Sequence, residues 1–476
     1  MSLKRKALGG VKWTSLSTIF NALVQLLQIV ILSRYLSPDA FGQVALVMVV
    51  IGFSQLFADL GISNAIIHQQ KVTHVQLSTL YWLNVLTGLV LFVGISIFAP
   101  YISLFYHDPS LTPLIVLMAV TLLIQALGKQ FFVLFEKELQ FNTVAGIDIF
   151  AVLVGFLTSI YLAINHFGVY ALVYPYILTV TIKSVLYIVK GLQFHRPSFY
   201  FRVSEVKSFI NFGLFQMGSG FVGYFNSQFD IIIIGKLFGQ EVLGMYSLAK
   251  QLVMRPAQIV NPIVTRVTFP VLAKVQDDQT QLKEIYLKTI YLISLVNFPI
   301  YLLMLILAPE IISLFLGEKW ADVVPIFQVL TLFALFRSTG NPIGTLVLAK
   351  GRPQYELYWN IGLFFYLPLT IYIGSFCGVT GVAWAMSFSM ASLIVPNWYF
   401  LVYRLCGATF WEYHKQIIKP IVLAGFAAFI SFGISLNIES SVIKLIGISL
   451  LNIVIYWILL YKFAKDFILM MKGFKE

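Results

Sequence analysis

Charged residues are scarce in this sequence. Only 11% of its 476 residues are charged and 59% are hydrophobic, so the mean hydropathy is +0.87. A soluble globular chain carries roughly 25% charged residues, so this chain has too few to cover a water-facing surface. Many uncharged runs reach the length of about 20 residues that a bilayer demands of a helix, and they are too long for barrel strands of about ten residues. The sequence predicts an all-α polytopic membrane protein.

Cysteine and the signatures of catalysis are also nearly absent. The two cysteines, Cys377 and Cys406, fall at opposite ends of one predicted span, which is too far apart for a disulfide. The sequence has no CxxC or Cys/His metal spacing, no Walker A motif and no loop long enough to form a separate catalytic domain. These absences predict a protein that is not an enzyme and that uses no cofactor or metal.

Fourteen apolar runs are candidate membrane spans. The least regular of them carries three prolines, at positions 256, 262 and 270. The predicted spans are 13–33, 40–66, 77–99, 111–128, 144–165, 167–189, 209–235, 243–272, 286–309, 322–349, 355–376, 379–403, 418–436 and 443–461.

The positive charges identify the two sides of the membrane. If the N-terminus is cytoplasmic, the predicted cytoplasmic segments hold 23 lysines and arginines, and the outside segments hold only Arg34, Lys236, Lys319 and Lys444. The positive-inside rule therefore predicts that both termini are cytoplasmic. It also explains the net charge of +12 as attraction to anionic lipid, with no need for a nucleic-acid partner.

One phrase occurs twice between apolar runs. "RYLSPDAFG" at 34–42 returns as "KLFGQEVLG" at 236–244, and "APYISLF" at 99–105 returns as "APEIISLF" at 308–315. Six spans separate the copies, so the two halves enter the membrane in the same direction, as in transporters with parallel repeats. We expect a six-helix lobe at 1–205, a second at 206–405, and an interfacial segment with two additional helices at 406–476. Most of the phrase fits an extracytoplasmic turn, with Gly42 allowing two helices to approach closely.

Several longer phrases carry a family resemblance. They are "ILSRYLSPDAFG", "ADLGISNAIIHQ", "FEKELQF", "DIIIIGKLFGQEVLGMYSLAKQLVMRPAQ", "FPVLAKVQDD" and "GEKWADVVPIFQVL". In these phrases the chain resembles bacterial polysaccharide exporters of the multidrug/oligosaccharidyl-lipid/polysaccharide flippase superfamily, and most closely the colanic-acid and teichuronic-acid types. The resemblance covers nearly the whole chain and weakens after about residue 405.

The resemblance implies a function. It implies a flippase in the bacterial cytoplasmic membrane that moves undecaprenyl-diphosphate-linked oligosaccharide units by alternating access, for surface polysaccharide synthesis. It further implies Na⁺ or H⁺ coupling, a polysaccharide polymerase as partner, and a groove for the lipid tail between the last two helices.

The residues themselves supply candidates for binding such a substrate. A diphosphate and a sugar need a polar, cationic path, and intramembrane charges usually face a bundle interior or water. In the eighth span Arg255, Gln258 and Arg266 share one helical face, and the planar fork of arginine suits phosphate oxygens. Snorkelling, or pairing with acids, would explain the same arginines, and helix–helix hydrogen bonding would explain the amides. The full set is Lys250, Arg255, Gln258, Arg266, Arg337, Asn21, Gln25 and Gln28.

Other charges suggest coupling and gating. Asp59, Asp148 and Asp230 are candidates to carry a coupling ion, although a structural role is the simpler interpretation of Asp59. Arg34 and Lys236, at corresponding places in the two phrases, are candidates for an outer gate. The alternative function is a multidrug or cation antiporter of the same superfamily, which would favour acidic rather than basic cavity residues.

Overall fold

The computed structural model describes residues 3–58, 63, 66, 72–202, 206–436 and 438–463. All regular structure in these residues is helical, and thirteen helices are long and apolar enough to cross a membrane. The longest of them, Gly220–Lys274, has 55 residues, or about 80 Å of helix against a hydrocarbon core of about 30 Å. It kinks at Gly239, where φ is +80°, and therefore supplies two crossings. The prediction of an all-helical protein with fourteen spans is confirmed.

The chain contacts divide the molecule into two compact units, Met1–Gly244 and Met245–Glu476. The lobes that the repeat suggests, 1–205 and 206–405, stay a prediction. The helices that begin in the first unit are α1 (Leu3–Tyr35), α2 (Pro38–Ala58), α3 (His74–Tyr106), α4 (Leu111–Lys137), α5 (Phe141–Ile164), α6 (Tyr170–Gly191) and α7 (Lys207–Lys274), the last of which continues into the second unit.

The second unit contains shorter pieces between its long helices. The predicted span 322–349 is broken at Thr339 and Gly340, and the predicted span 379–403 is continued by three short helical segments, one of them the π-helical Trp398–Tyr403. The helices of at least nine residues are α8 (Gln279–Ile306), α9 (Val323–Ser338), α10 (Asn341–Ala349), α11 (Gln354–Ser375), α12 (Gly378–Ser392), α13 (Phe410–Ser435) and α14 (Ser441–Phe463).

Local sequence sets several helix ends. Thr73 and Gln76 form a reciprocal capping box at the start of α3, and Thr409 and Glu412 form another at the start of α13. Each box satisfies two amide groups that a helix N-terminus leaves without partners. The second box starts a helix at Phe410, within the first part of the region 406–476 for which we expected an interfacial segment.

The two copies of the repeated phrase lie against each other. A Cβ built on Gly42 would be 1.9 Å from the carbonyl oxygen of Gln240, and a Cβ built on Gly244 would be 1.9 Å from that of Pro38. The alignment of the copies pairs Pro38 with Gln240 and Gly42 with Gly244. The two contacts are therefore reciprocal, which is the pattern of a two-fold interface. The close helix approach expected at Gly42 is present.

Candidate functional site

The second half of α7, residues 240–274, has a polar face and an apolar face. Leu252, Val253 and Ala257 are buried, whereas Ile263 and Val267, further along the helix, are exposed. The polar face is the set expected from the spacing, and its members are exposed or half-buried: Gln251, Arg255, Gln258, Pro262 and Arg266.

The two arginines of this face, Arg255 and Arg266, lie in a segment that is predicted to cross the membrane. Charged groups at the centre of a bilayer are costly and usually face a water-filled cavity or a bundle interior. Arg255 is half-buried, and Arg266 is exposed next to the exposed Val267. The two arginines stand 11 residues apart, or about 16 Å along the helix axis. Arg255 and Arg266 are therefore candidates for a water-filled cavity, and their role in binding stays a prediction.

Three prolines do not end this helix. α7 runs without a break through Pro256, Pro262 and Pro270. Next to the first of them, the Ala257 N–H donates to the Tyr301 hydroxyl of α8 over 3.2 Å. Neighbouring side chains that satisfy freed backbone groups are what make proline tolerable in membrane helices. α7 therefore carries its polar face as one continuous element.

A buried amide cluster fixes α7 from behind. Asn261 Nδ2 donates to the carbonyl oxygen of Ser338 over 3.0 Å, and Asn297 Nδ2 donates to Asn261 Oδ1 over 2.8 Å. All three residues are at most 1% exposed. The cluster joins α7, α8 and α9 at one depth. Asn297 Oδ1 is buried without a hydrogen-bond partner among the described residues, so the cluster is not fully satisfied, but its two hydrogen bonds tie this part of α7 to α8 and α9.

The cluster also locates Arg337, which the sequence analysis selected. Arg337 is exposed, and its guanidinium carbon lies 5.9 Å from the centre of the Phe333 ring. The next residue is Ser338, whose carbonyl oxygen accepts from Asn261. Arg337 therefore lies near the depth of Asn261, about 9 Å along α7 from Arg255. Lys250 is half-buried and lies five residues before Arg255. The second unit thus brings Lys250, Arg255 and Arg337 into one bundle of three helices.

The amide stripe of α1 belongs to the first unit. Gln25 is exposed, and Asn21 and Gln28 are half-buried. Asn21 Nδ2 lies 3.5 Å from Ser17 Oγ, and Asn21 Oδ1 is buried without a hydrogen-bond partner among the described residues. A buried amide oxygen of this kind retains the capacity to accept a hydrogen bond.

The three carboxylates differ in their surroundings. Asp148 Oδ1 lies 2.8 Å from Lys183 Nζ and accepts from the Tyr187 hydroxyl over 3.3 Å, so it ties α5 to α6. Asp230 is 1% exposed and accepts from the Ile231 N–H. Asp59 lies outside the described residues. The pairing of Asp148 with a lysine was not visible from the spacing of either residue.

The two candidate gate residues are held differently. Lys236 Nζ donates to the Phe105 carbonyl over 2.6 Å, lies 3.3 Å from His107 Nδ1 and sits 4.6 Å from the centre of the Phe105 ring. It therefore holds α7 to the end of α3 within the first unit. Arg34 is exposed in the last turn of α1.

The long apolar helices define a polytopic membrane protein. The structure resembles the lipid II flippase MurJ in an inward closed conformation, with a TM-score of 0.80 and 16% identity over 96% of this chain and 100% of that one. It also resembles an inward-facing multidrug resistance MATE transporter of the MOP superfamily, with a TM-score of 0.62 and 17% identity over 81% of this chain and 94% of that one. At these identities the likeness concerns the fold.

Sequence comparison gives the family. The family described as polysaccharide biosynthesis protein matches residues 31–325. The chain is 34% identical to the teichuronic acid biosynthesis protein TuaB of Bacillus subtilis (strain 168), over 92% of this chain and 91% of that one. It is 30% identical to the lipopolysaccharide biosynthesis protein WzxC of Escherichia coli (strain K12), over 89% of this chain and 86% of that one. This chain belongs to the polysaccharide biosynthesis family of membrane exporters, which confirms the resemblance found in its phrases.

Proposed function

We propose that the protein flips oligosaccharide units linked to undecaprenyl diphosphate across the bacterial cytoplasmic membrane, by alternating access and without covalent chemistry. The glycan supplies a surface polysaccharide, and both chain termini lie in the cytoplasm. The family and the fold support a lipid-linked substrate.

One observation carries the proposal, namely the polar face of α7. Arg255 and Arg266 are displayed on a helix that a buried amide cluster holds in place. A diphosphate crossing about 30 Å of hydrocarbon needs cations at more than one depth. Two arginines about 16 Å apart on one axis provide them, and each guanidinium can bind phosphate oxygens through two parallel hydrogen bonds. Lys250 and Arg337 add charge within the second unit, and Gln258 offers an amide there to sugar hydroxyls. In the first unit, Asn21, Gln25 and Gln28 offer amides of their own.

A multidrug or cation antiporter is the second candidate, because MATE transporters share the fold. A cationic drug would be repelled by the polar face of α7 and would need carboxylates there instead. We place the coupling ion, Na⁺ or H⁺, at Asp230, which is 1% exposed. A polysaccharide polymerase on the outer side would consume the delivered units.

The test is a flipping assay in proteoliposomes with a fluorescent sugar on a polyprenyl diphosphate carrier. Arg255→Ala should reduce flipping at least about tenfold, since a hydrogen bond to a charged group is worth roughly 1.5–3 kcal/mol. Arg255→Lys should restore only part of it, because an ammonium lacks the planar fork. Lys274→Ala removes an exposed cation from the end of the same helix and serves as the control. Full activity of Arg255→Ala in a well-inserted protein would refute the role of this arginine.

A further inference from the structure

The segment that follows α6, residues 192–202, has no regular secondary structure and yet is fixed to α3. The Ser198 N–H and hydroxyl donate to Ser78 Oγ over 3.1 and 3.0 Å. The Trp82 indole N–H donates to the Ser198 carbonyl oxygen over 2.9 Å. His195 is 2% exposed, and its Nε2 lies 3.5 Å from the same Ser78 oxygen. The segment is therefore a built surface of the first unit rather than a loose connection.

The contacts with α3 set the depth of this surface in the membrane. The span predicted for α3 is 77–99, and its first residues are at the end that the positive-inside rule assigns to the cytoplasm. Ser78 and Trp82 lie within the first two turns of this span, no more than about 8 Å from its start. The residues that contact them therefore lie at the level of the lipid headgroups, where aromatic residues are enriched in membrane proteins.

The outer side of the segment combines apolar rings with positive charge. Phe199 is 96% exposed and Phe201 is 49% exposed. The Phe199 ring stacks on Trp82, with 5.1 Å between the ring centres and 21° between the planes, so its position is defined. Arg196 and Arg202 are both exposed, and neither forms an ion pair with a carboxylate among the described residues. The surface therefore offers two guanidinium groups and an aromatic ring to the same surroundings.

The two arginines meet at one place on α3. Arg196 directly follows His195, which lies against Ser78. The Arg202 N–H donates to Oγ1 of Thr79, the next residue of α3, over 3.4 Å. Both arginines therefore start from the same turn of α3, close enough for their long side chains to bind one phosphate group, each through two parallel hydrogen bonds.

The partner of such a surface must carry negative charge and apolar chains at one depth. Guanidinium groups without carboxylate partners favour phosphate oxygens. An exposed ring at the membrane surface favours the acyl boundary over water. Anionic phospholipids of the cytoplasmic leaflet offer both groups in one molecule, and their negative surface potential attracts basic segments.

We propose that residues 192–202 form a docking site for an anionic phospholipid of the cytoplasmic leaflet. Arg196 and Arg202 bind its phosphate, and Phe199 packs against an acyl chain. The site lies apart from the polar face of α7 along the chain and does not rest on the proposed function. A lipid bound there would hold the cytoplasmic ends of α3 and α6 at a fixed depth in the membrane.

Native mass spectrometry of the full-length protein in a neutral detergent measures lipid binding directly. Dioleoylphosphatidylglycerol and dioleoylphosphatidylcholine have the same acyl chains and differ in headgroup charge. Arg196→Gln/Arg202→Gln should weaken binding of the first phosphatidylglycerol about thirtyfold, because each basic residue near an anionic surface contributes about a factor of five. Binding of phosphatidylcholine should fall much less, because choline offsets the charge of its phosphate. Lys274→Gln/Arg352→Gln removes two other exposed charges that are predicted to be cytoplasmic, and this matched control should bind both lipids normally.

Phe199→Ser tests the apolar half of the site. It should weaken binding of both lipids alike, by about tenfold, because their acyl chains are identical. Unchanged phosphatidylglycerol binding in the double arginine variant, an equal loss in the control pair, or unchanged binding in Phe199→Ser would overturn the proposal. Undecaprenyl diphosphate is the third ligand. If the double arginine variant weakens its binding more than that of phosphatidylglycerol, the segment receives a polyprenyl carrier and the proposal of a phospholipid site is wrong.

Discussion

The reciprocal contact between the two repeated phrases leads to a quantitative prediction. Gly42 and Gly244 each lie where a Cβ would be 1.9 Å from a backbone carbonyl oxygen. A carbon and an oxygen that are not bonded stay about 3.3 Å apart even in close contacts. Gly42→Ala must therefore push two backbones apart by about 1.4 Å, and no side-chain rotation can relieve the clash.

The cost follows from two opposing effects. Overpacking costs about 1–3 kcal/mol, and replacing glycine by alanine within a helix gains about 1 kcal/mol. Gly42→Ala and Gly244→Ala should therefore be destabilising by up to about 2 kcal/mol. Gly94 and Gly146 have nothing within 4 Å of a built Cβ, so their alanine variants should be stabilised and provide matched controls.

Thermal unfolding of the purified protein in detergent measures these differences. Gly42→Ala and Gly244→Ala should unfold at lower temperatures than Gly94→Ala and Gly146→Ala. The double variant should cost less than the sum of its parts, because one separation of the phrases accommodates both methyl groups and close sites are not additive. If Gly42→Ala is as stable as Gly146→Ala, the reciprocal contact does not exist as described.

Three further predictions concern charge and sidedness. Asp148→Leu should destabilise the protein by about 1–3 kcal/mol, because the side chains of Asp148 and Lys183 are 23% and 30% exposed and only a fully buried pair costs about 3–5 kcal/mol when it is broken. Flipping should return in Asp148→Leu/Lys183→Met, which would assign the pair to structure. Flipping that stays lost would contradict this role and would make Asp148 a rival to Asp230 as the site of the coupling ion. Burial, and to a smaller degree the nearby His74, lowers the pKa of His195 from 6.5 to about 4. Thermal stability should therefore fall as the pH drops from 6.5 towards 4, because the unfolded chain takes up a proton that the folded chain excludes. His195→Gln should make stability less dependent on pH in this range, and an unchanged dependence would contradict the role of His195. Cysteines placed at 37–40 should react with impermeant reagents only from outside and those at 196–202 only from inside, and the reverse pattern would invert the predicted topology.

The spans were predictable because each is a long apolar run, and the bilayer sets its length. The points where the spans are interrupted, and the way they pack, were harder to predict from the sequence. Thr339 and Gly340 break a predicted span although the window around them is apolar on average. Trp411 and Tyr413 lie two residues apart at the start of α13, yet Trp411 is 71% exposed and Tyr413 is 2% exposed, in a cluster with Tyr286. Only the tertiary packing distinguishes these two aromatic residues.

The candidate site was predictable to the same degree. The polar face of α7 follows from helical spacing within one segment, whereas its role in binding stays a prediction. The amide cluster could not be predicted, because Asn261 finds its partners 36 and 77 residues away, on two other helices. A single asparagine in an apolar run shows only that a partner exists.

Polar contacts hold the last helix, α14, against the rest of the second unit. The Tyr456 hydroxyl donates to the Leu295 carbonyl of α8 over 2.8 Å, and Lys444 is paired with the buried Glu310. Deleting α13 and α14 would leave a buried carboxylate without a cation and uncover one side of α8, so a truncated chain should fail to fold and would say nothing about the lipid tail.

Substitutions on the exposed surface of α13 and α14 test whether these helices hold the lipid tail. Phe429 is 75% exposed on α13 and Leu450 is 60% exposed on α14, so Phe429→Ser and Leu450→Ser alter a lipid-facing surface without touching the polar contacts. If this surface shelters the polyprenyl tail, flipping of a long-chain carrier should fall and flipping of a short-chain carrier should not. Equal loss for both carriers would mean that the surface serves packing, because a short chain that never reaches these helices has no contact there to lose.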